Sequence, residues 1–202
     1  MHPTPSFVQG NWHLTAGARR HRIPGSRGFT DYRPIQDQLT GLNACFYCLG
    51  VSAVGRREAQ YTRITYDYAL AAARSLITGS PTLTFIYVSG EGTDPTEKSR
   101  HMWARIKGRT ENDLQALPLT TYMFRPGFIQ PVEGAVSRTP IHRTLYRATA
   151  TLYPLLKRFF PGHITTTDSV GRAMLVATQP GSTAPAVVRN RDINDLAALS
   201  KR

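Results

Sequence analysis

From residue 30 onward, short runs of consecutive apolar residues alternate with longer stretches in which apolar residues recur every three or four positions. The short runs are apolar on both faces of a strand, which predicts buried strands over residues 44–49, 83–88 and 121–124. The periodic stretches predict helices over residues 31–39, 57–77 and 99–117. Alternation of doubly apolar strands with helices predicts an α/β domain, with a parallel sheet covered by helices on both sides.

Beyond the third predicted strand the pattern is mostly helical. Residues 139–160 predict a basic helix, kinked at Pro154 because proline removes a backbone hydrogen bond. Thr166 or Thr167 is a suitable cap for a helix that ends at Thr178. A small strand over residues 186–188 and a closing helix over residues 192–199 complete the prediction.

The first 28 residues differ from the rest of the chain. They contain four arginines, no acidic residue and no sustained period, and Pro, Gly, Ser and Thr are scattered through them. We interpret residues 1–28 as a disordered or aberrant leader and residues 29–202 as the folded domain. An arginine-rich segment without acids is also typical of a transit peptide, and a mis-assigned gene start would look the same.

Charge and cysteine content narrow the possible partners and the compartment. The formal net charge is +12, which favours anionic partners such as nucleotides, nucleic acid or acidic lipid, although a basic solvated surface explains it equally well. No stretch approaches the ~18 consecutive apolar residues of a membrane span. Cys45 and Cys48 point to opposite faces of a predicted strand. We therefore expect two buried thiols in a reducing cytoplasm, not a disulfide or a shared metal.

Three motifs occur in order at the predicted strand ends and on the helix between them. They are residues 85–90 (FIYVSG), 103–108 (WARIKG) and 122–127 (YMFRPG). Together they resemble the short-chain dehydrogenase/reductase superfamily, in its atypical, epimerase-like branch, and the resemblance covers roughly residues 31–178. It implies a Rossmann-like sheet whose ligands lie beyond the carboxyl ends of the strands.

In that family a serine at the end of the fifth strand works with a tyrosine and a lysine spaced four residues apart on the next helix. By resemblance, Ser89 would hydrogen-bond the reacting oxygen, and Lys107 would hold the nicotinamide ribose and lower the pKa of the tyrosine. Trp103 stands in the tyrosine place, and an indole has no proton that titrates near neutral pH. Helix packing also explains Trp103, a turn residue also explains Ser89, and a solvated helix lysine also explains Lys107.

Two turns correspond by position to parts of the family's cofactor, NAD or NADP. The turn expected near the adenine side consists of Gly50, Val51 and Ser52. The turn expected beside the nicotinamide amide consists of Pro126, Gly127 and Phe128. Glycine allows close backbone approach in such turns, although tight-turn geometry alone explains both glycines equally well. The region of about residues 128–202 is expected to lie on the substrate side.

The glycine-rich start of a dinucleotide-binding fold is missing from the sequence. No G-x-G-x-x-G stretch precedes Ala44, and only 43 residues precede the first clear strand. Each βαβ unit takes ~30 residues, so the first strands of the sheet and the turn that holds the pyrophosphate are expected to be absent. Either the gene or its start is truncated, or the protein has lost cofactor binding.

Three functions follow from these observations. The first is an NAD(P)-dependent oxidoreductase or epimerase-like enzyme acting on an unidentified small molecule. The second is a non-catalytic Rossmann-like binding or regulatory protein, which the tryptophan and the missing glycines favour. The third is peripheral membrane or nucleic-acid binding through the basic amphipathic residues 138–158, although a helix packed on the domain also explains this segment. Sequence-specific nucleic-acid binding is not expected. An exposed sheet edge would also favour pairing with a second copy of the chain.

Overall fold

A computed structural model describes residues 14–16, 19–21, 29–130 and 162–200 of the chain. Its strands are β1 (Leu14–Ala16), β2 (Arg19–His21), β3 (Ala44–Tyr47), β4 (Thr84–Val88), β5 (Thr120–Arg125), β6 (Phe128–Gln130), β7 (Ile164–Thr166) and β8 (Val187–Arg189). Its α-helices are α1 (Glu58–Thr62), α2 (Tyr68–Gly79), α3 (Met102–Gln115), α4 (Thr167–Ala177) and α5 (Asn190–Leu199). A 3-10 helix spans Arg33–Leu39, and a π-helical segment, Arg63–Asp67, joins α1 to α2.

The centre of the fold is a four-stranded parallel sheet in the order β3-β4-β5-β8. Ala44 is opposite Thr84, Thr84 is opposite Thr120, and Met123 is opposite Val187. Because all four strands run the same way, their carboxyl ends share one edge of the sheet. Ligands of such sheets bind at this edge.

Helices cover both faces of the sheet, as the sequence predicts. On one face, buried residues of α2, α3 and the 3-10 helix, such as Leu70, Leu114 and Leu39, pack with Phe85 and Met123. On the other face, α4 and α5 contribute a second cluster that packs against alternate residues of the same strands. Its members include Met174, Ile193, Ile86, Phe124 and Val188. The prediction of an α/β fold with a parallel sheet and flanking helices is confirmed.

Several predicted elements agree closely with the structure. The long helix predicted over residues 57–77 is the continuous run α1, π segment and α2, from Glu58 to Gly79. Thr166 is the N-cap of α4, where its side chain accepts a hydrogen bond from the Ser169 backbone N–H. The helix predicted over residues 31–39 is a short 3-10 helix, with Pro34 near its start.

The prediction that the first strand is apolar and buried on both faces is wrong. Phe46 in β3 is 41% exposed, and Cys48 just beyond the strand is also exposed, so only Cys45 is partly buried. Among the described residues β3 is an edge strand, and α5 lies over β5 and β8 at the other side of the sheet. No described helix therefore covers the face that carries Phe46.

Burial raises the pKa of the Cys45 thiol to about 12.

Some predictions fall outside the described residues. These include the basic helix over residues 139–160 and the amphipathic segment 138–158. Within the leader, β1 and β2 form a short antiparallel pair with Thr15 opposite Arg20. In the portion of the chain that the structure describes, no helix is long and apolar enough to cross a bilayer. Pairing of the β3 edge with a second copy stays a prediction.

Candidate functional site at the carboxyl edge of the sheet

One face of α3 is directed toward the carboxyl end of β4. Trp103, Lys107 and Glu111 are spaced four residues apart and so share this face. The Lys107 ammonium donates a hydrogen bond to the backbone carbonyl of Ser89, and Glu111 Oε1 accepts one from Ser89 Oγ at 2.5 Å. The spacing in the sequence predicts that Ser89 and Lys107 converge, and the structure brings them together.

The surroundings of Lys107 displace the pKa of its amine. Burial lowers the pKa of the amine below its usual value, while the negative charge of Glu111 acts in the opposite direction. An ideal Cβ on Gly90 would lie 3.5 Å from the Lys107 Nζ. Because Gly90 has no side chain, the Lys107 amine lies close to the loop that follows β4, at the carboxyl edge of the sheet.

The Ser89 hydroxyl faces the interior of the protein. Ser89 is only 3% exposed, and besides Glu111 its Oγ lies 3.2 Å from the backbone carbonyl of Phe124. A serine hydroxyl has one proton, and both of these partners are acceptors. The side chain therefore joins β4 to α3 and β5, and its contact with a reacting substrate oxygen stays a prediction.

A buried ion pair supports this junction, and the sequence analysis did not identify it. Glu111 is 1% exposed, and its carboxylate accepts bonds from the Arg125 guanidinium, with Nε at 3.0 Å from Oε1 and Nη2 closer still to Oε2. Arg125 is the last residue of β5. The sequence contained a signal for this pair, because Glu111 follows Lys107 by one helical turn and Arg125 directly precedes the Pro-Gly turn.

Trp103 packs on the loop after β4. Its ring is close enough to Gly92 that an ideal Cβ there would lie 2.9 Å from Cη2, and it stacks with His101 at 6.3 Å between ring centroids. Gly92 has a φ of +81°, a conformation that suits glycine. Two tyrosines of neighbouring elements could have taken the part of the family's catalytic tyrosine, but both are engaged in other contacts. Tyr87 is 1% exposed in the core, and Tyr66 donates to Asp113.

The turn after β5 is held tightly on three sides. The buried Pro126 accepts a hydrogen bond from Glu91 N at 2.9 Å, and Gly127 N donates to Asn190 Oδ1 at 3.0 Å. Phe128 N donates to the His163 carbonyl at 2.8 Å, and an ideal Cβ on Gly127 would lie 2.3 Å from that same oxygen. Close packing of protein backbone therefore explains the glycine at 127. Contact of this turn with a nicotinamide stays a prediction.

The turn after β3 lies at the same sheet edge but is more loosely held. Ser52 Oγ accepts from Val54 N at 3.2 Å, and the Ser52 carbonyl accepts from Arg56 Nε at 3.0 Å. An ideal Cβ on Gly50 would meet nothing within 4 Å, so packing does not require glycine there. The predicted adenine-side contacts of Gly50, Val51 and Ser52 stay predictions.

The described residues suit one end of a dinucleotide better than the other. The Lys107 amine and the turn at residues 126–128 lie at the edge where the ribose and nicotinamide would be held. The turn at residues 50–52, expected near the adenine side, lies at the same edge. The chain contains no G-x-G-x-x-G stretch to hold a pyrophosphate at a helix N-terminus. The fit is therefore to the nicotinamide-ribose end, with Lys107 as the residue that would hold it.

These observations define the class of protein: a Rossmann-like α/β protein in which Lys107 and Ser89 meet at the carboxyl edge of the sheet. Two solved structures share this fold. The crystal structure of gox2253 aligns with a TM-score of 0.54 and 11% identity over 79% of this chain. That of the ADP-L-glycero-D-manno-heptose-6-epimerase of Helicobacter pylori aligns with a TM-score of 0.51 and 12% identity over 84% of this chain. The fold of this chain therefore resembles that of an epimerase.

This chain spans 53% and 60% of the lengths of those two structures, respectively. No model of a known protein family matches the chain, and no curated protein matches its sequence. At such low identity the likeness is one of fold, and it does not transfer a substrate or a cofactor.

Proposed function

We propose that the protein is an oxidoreductase or epimerase-like protein of the atypical short-chain dehydrogenase type, which binds NAD or NADP and a small-molecule substrate at the carboxyl edge of its sheet. The observation that carries the proposal is the convergence of Lys107 with the end of β4 beside Ser89. The epimerase-like fold supports it, because ligands of doubly wound sheets bind at this edge.

Each residue of the site has a distinct task in this proposal. Lys107 donates hydrogen bonds to the ribose hydroxyls through the N–H groups not used by the Ser89 carbonyl, since an ammonium has three donors. The ion pair between Glu111 and Arg125 holds α3 against β5 and thereby fixes the position of Lys107. A bound nicotinamide supplies the capacity to exchange a hydride with the substrate.

Replacement of Lys107 tests the proposal directly. We expect the protein to bind NADH or NADPH in isothermal titration calorimetry, and Lys107→Met to weaken that binding by roughly 10- to 100-fold. The reason is that a hydrogen bond to a charged group contributes about 1.5–3 kcal/mol. Lys98→Met is the matched control, because Lys98 is an exposed lysine in the loop before α3.

Two outcomes would contradict the proposal. One is the absence of NADH and NADPH binding by the unaltered chain at millimolar cofactor. The other is equal binding by Lys107→Met and the unaltered chain. The Lys98→Met control separates a local loss from the general effect of removing one positive charge from a basic protein.

A non-catalytic binding or regulatory protein is the second candidate, and the packing of Trp103 favours it. The indole is engaged with Gly92 and His101 and supplies no titratable proton. A chain that binds NADH but exchanges no hydride with any of a panel of carbonyl compounds would match this candidate. Membrane contact through residues 138–158 is a separate proposal that vesicle binding in low salt would test.

A further inference from the structure

A carboxylate and an imidazole form a pair at the edge of the sheet that the sequence motifs do not include. Glu91 Oε1 lies 2.8 Å from His163 Nδ1, and the two residues are 72 positions apart in the chain. Glu91 is in the loop after β4, and His163 directly precedes β7. Both side chains are at least half exposed, at 50% and 65%, so they are open to a ligand.

Backbone contacts place this pair beside the Lys107 site. The Glu91 amide donates to the Pro126 carbonyl, and the His163 carbonyl accepts from Phe128 N. The pair closes over Gly127, where an ideal Cβ would lie 2.8 Å from Glu91 Oε2 and 2.3 Å from the His163 carbonyl. A residue with a side chain at position 127 would therefore push the two partners apart. Gly90, which neighbours Glu91, is also the residue that faces the Lys107 amine.

The pair has the chemistry that Trp103 lacks. An imidazole changes its protonation between pH 5 and pH 8, and a carboxylate on Nδ1 orients the ring and favours the tautomer with its proton there. The second ring nitrogen, Nε2, is then the one that exchanges a proton with a ligand. The same division of tasks occurs wherever a carboxylate orients a catalytic histidine.

We propose that His163, oriented by Glu91, is the proton-transfer residue of this site. The inference rests on the proposed function and names the group that takes the place of the missing tyrosine. In reduction, protonated His163 gives the Nε2 proton to the carbonyl oxygen of a substrate, which becomes an alcohol, and the neutral imidazole regains its proton from water. A reduced nicotinamide held by Lys107 would supply the hydride that the carbonyl carbon needs and would be left oxidised. The reverse direction uses neutral His163 as the base.

Other charged residues belong to the elements that end at this edge or pack against it. They are Lys107 and the buried Glu111 on α3, Arg125 at the end of β5, and Arg189 at the end of β8. Lys107 is the strongest competitor as a proton donor, because burial lowers its pKa. A test of the inference must therefore separate an imidazole from an amine by its pH dependence and by substitution.

The first measurement needs no substrate. In ¹⁵N NMR of the full chain, we expect His163 in the tautomer protonated at Nδ1, and we expect Glu91→Gln to move the population toward the tautomer protonated at Nε2. The direction follows because a carboxylate only accepts hydrogen bonds and therefore favours a proton on the ring nitrogen that faces it, whereas an amide can also donate one. His163→Gln assigns the signal. A tautomer unchanged by Glu91→Gln would overturn the orienting role of Glu91.

The second measurement follows NADPH or NADH oxidation with an aromatic aldehyde, 4-nitrobenzaldehyde, as the probe. We expect His163→Gln to lower kcat by about 10²- to 10⁴-fold, to abolish the change of kcat between pH 5 and pH 8, and to leave cofactor affinity unchanged. Glu91→Gln should lower kcat less. Asp168→Asn is the matched control, because it removes a carboxylate from another exposed ion pair, with Arg172 on α4.

The outcomes distinguish this inference from the proposed function. If the unaltered chain binds neither cofactor, the proposed function fails and the inference fails with it. If it binds a cofactor but reduces no probe, the non-catalytic candidate is favoured and the inference is overturned with the oxidoreductase reading. If the probe is reduced and turnover survives His163→Gln, the inference alone is overturned. A loss of turnover in His101→Gln but not in His163→Gln would assign the role to the other imidazole near Trp103.

Discussion

A Gly108→Ala substitution is expected to destabilise the fold by about 3 kcal/mol or more, measured as the free energy of unfolding in urea. An ideal Cβ at position 108 would lie 1.7 Å from the carbonyl oxygen of Asp94 and 3.0 Å from the nitrogen of Pro95. These are backbone atoms, which cannot rotate away as a side chain does. The Asp94 amide is itself bonded to the Ala104 carbonyl at 3.1 Å, so the loop is fixed against α3.

The expected loss in the free energy of unfolding is opposite in sign to the usual effect of replacing a helical glycine by alanine. In a helix without such a neighbour, glycine to alanine stabilises by about 0.4–1 kcal/mol. Gly162→Ala serves as the control, because an ideal Cβ there meets nothing within 4 Å. Since Gly108 adjoins Lys107, any shift of α3 that relieves the clash also moves the amine away from Ser89. A Gly108→Ala protein as stable as the unaltered chain would show that the loop does not pack on α3 as described.

Arg125→Met is expected to cost about 3–5 kcal/mol in the free energy of unfolding. The substitution removes a guanidinium that is bonded to both oxygens of Glu111, and Glu111 is 1% exposed. The carboxylate then stays buried, hydrogen-bonded to the Ser89 hydroxyl and with the Lys107 ammonium as a positive charge that still acts on it. A buried carboxylate that loses a hydrogen-bonded counter-ion is far less stable than the same charge in water.

A double variant provides the control for that prediction. Glu111→Gln combined with Arg125→Met removes both charges, and we expect it to be more stable than Arg125→Met alone. Urea unfolding at pH 7 measures the difference between the single and double variants. Equal losses in the single and double variants would mean that the cost is one of packing and not of charge.

The strand and helix order was predictable because periodicity is a local property. The apolar run in β4 and the period of the helix from Glu58 to Gly79 each record which faces are buried. Burial in β3 was mispredicted because the same kind of run occurs there, but no helix among the described residues covers Phe46. A sequence run shows that a strand is apolar, and only the packing of distant segments decides whether both of its faces are covered.

The contacts of the site likewise divide into those that the sequence predicts and those that only the structure reveals. The meeting of Lys107 with Ser89 follows from a strand end and a helix face that the sequence already marks. The partner of the Ser89 hydroxyl, Glu111, was one helical turn away but was not identified, because an acid on a helix is usually solvated. The pairing of Glu91 with His163 could not be read from spacing, because 72 residues separate them.

By itself, the sequence determined the α/β class, the parallel sheet with helices on both sides, and the convergence of a serine and a lysine at one edge. These depend on residues whose burial or spacing is set within one or two elements. The tertiary structure alone decided that the serine hydroxyl points inward, that Arg125 neutralises a buried carboxylate, and that a carboxylate and an imidazole meet over Gly127. Those contacts join segments far apart in the chain, and no local pattern encodes which of them come together.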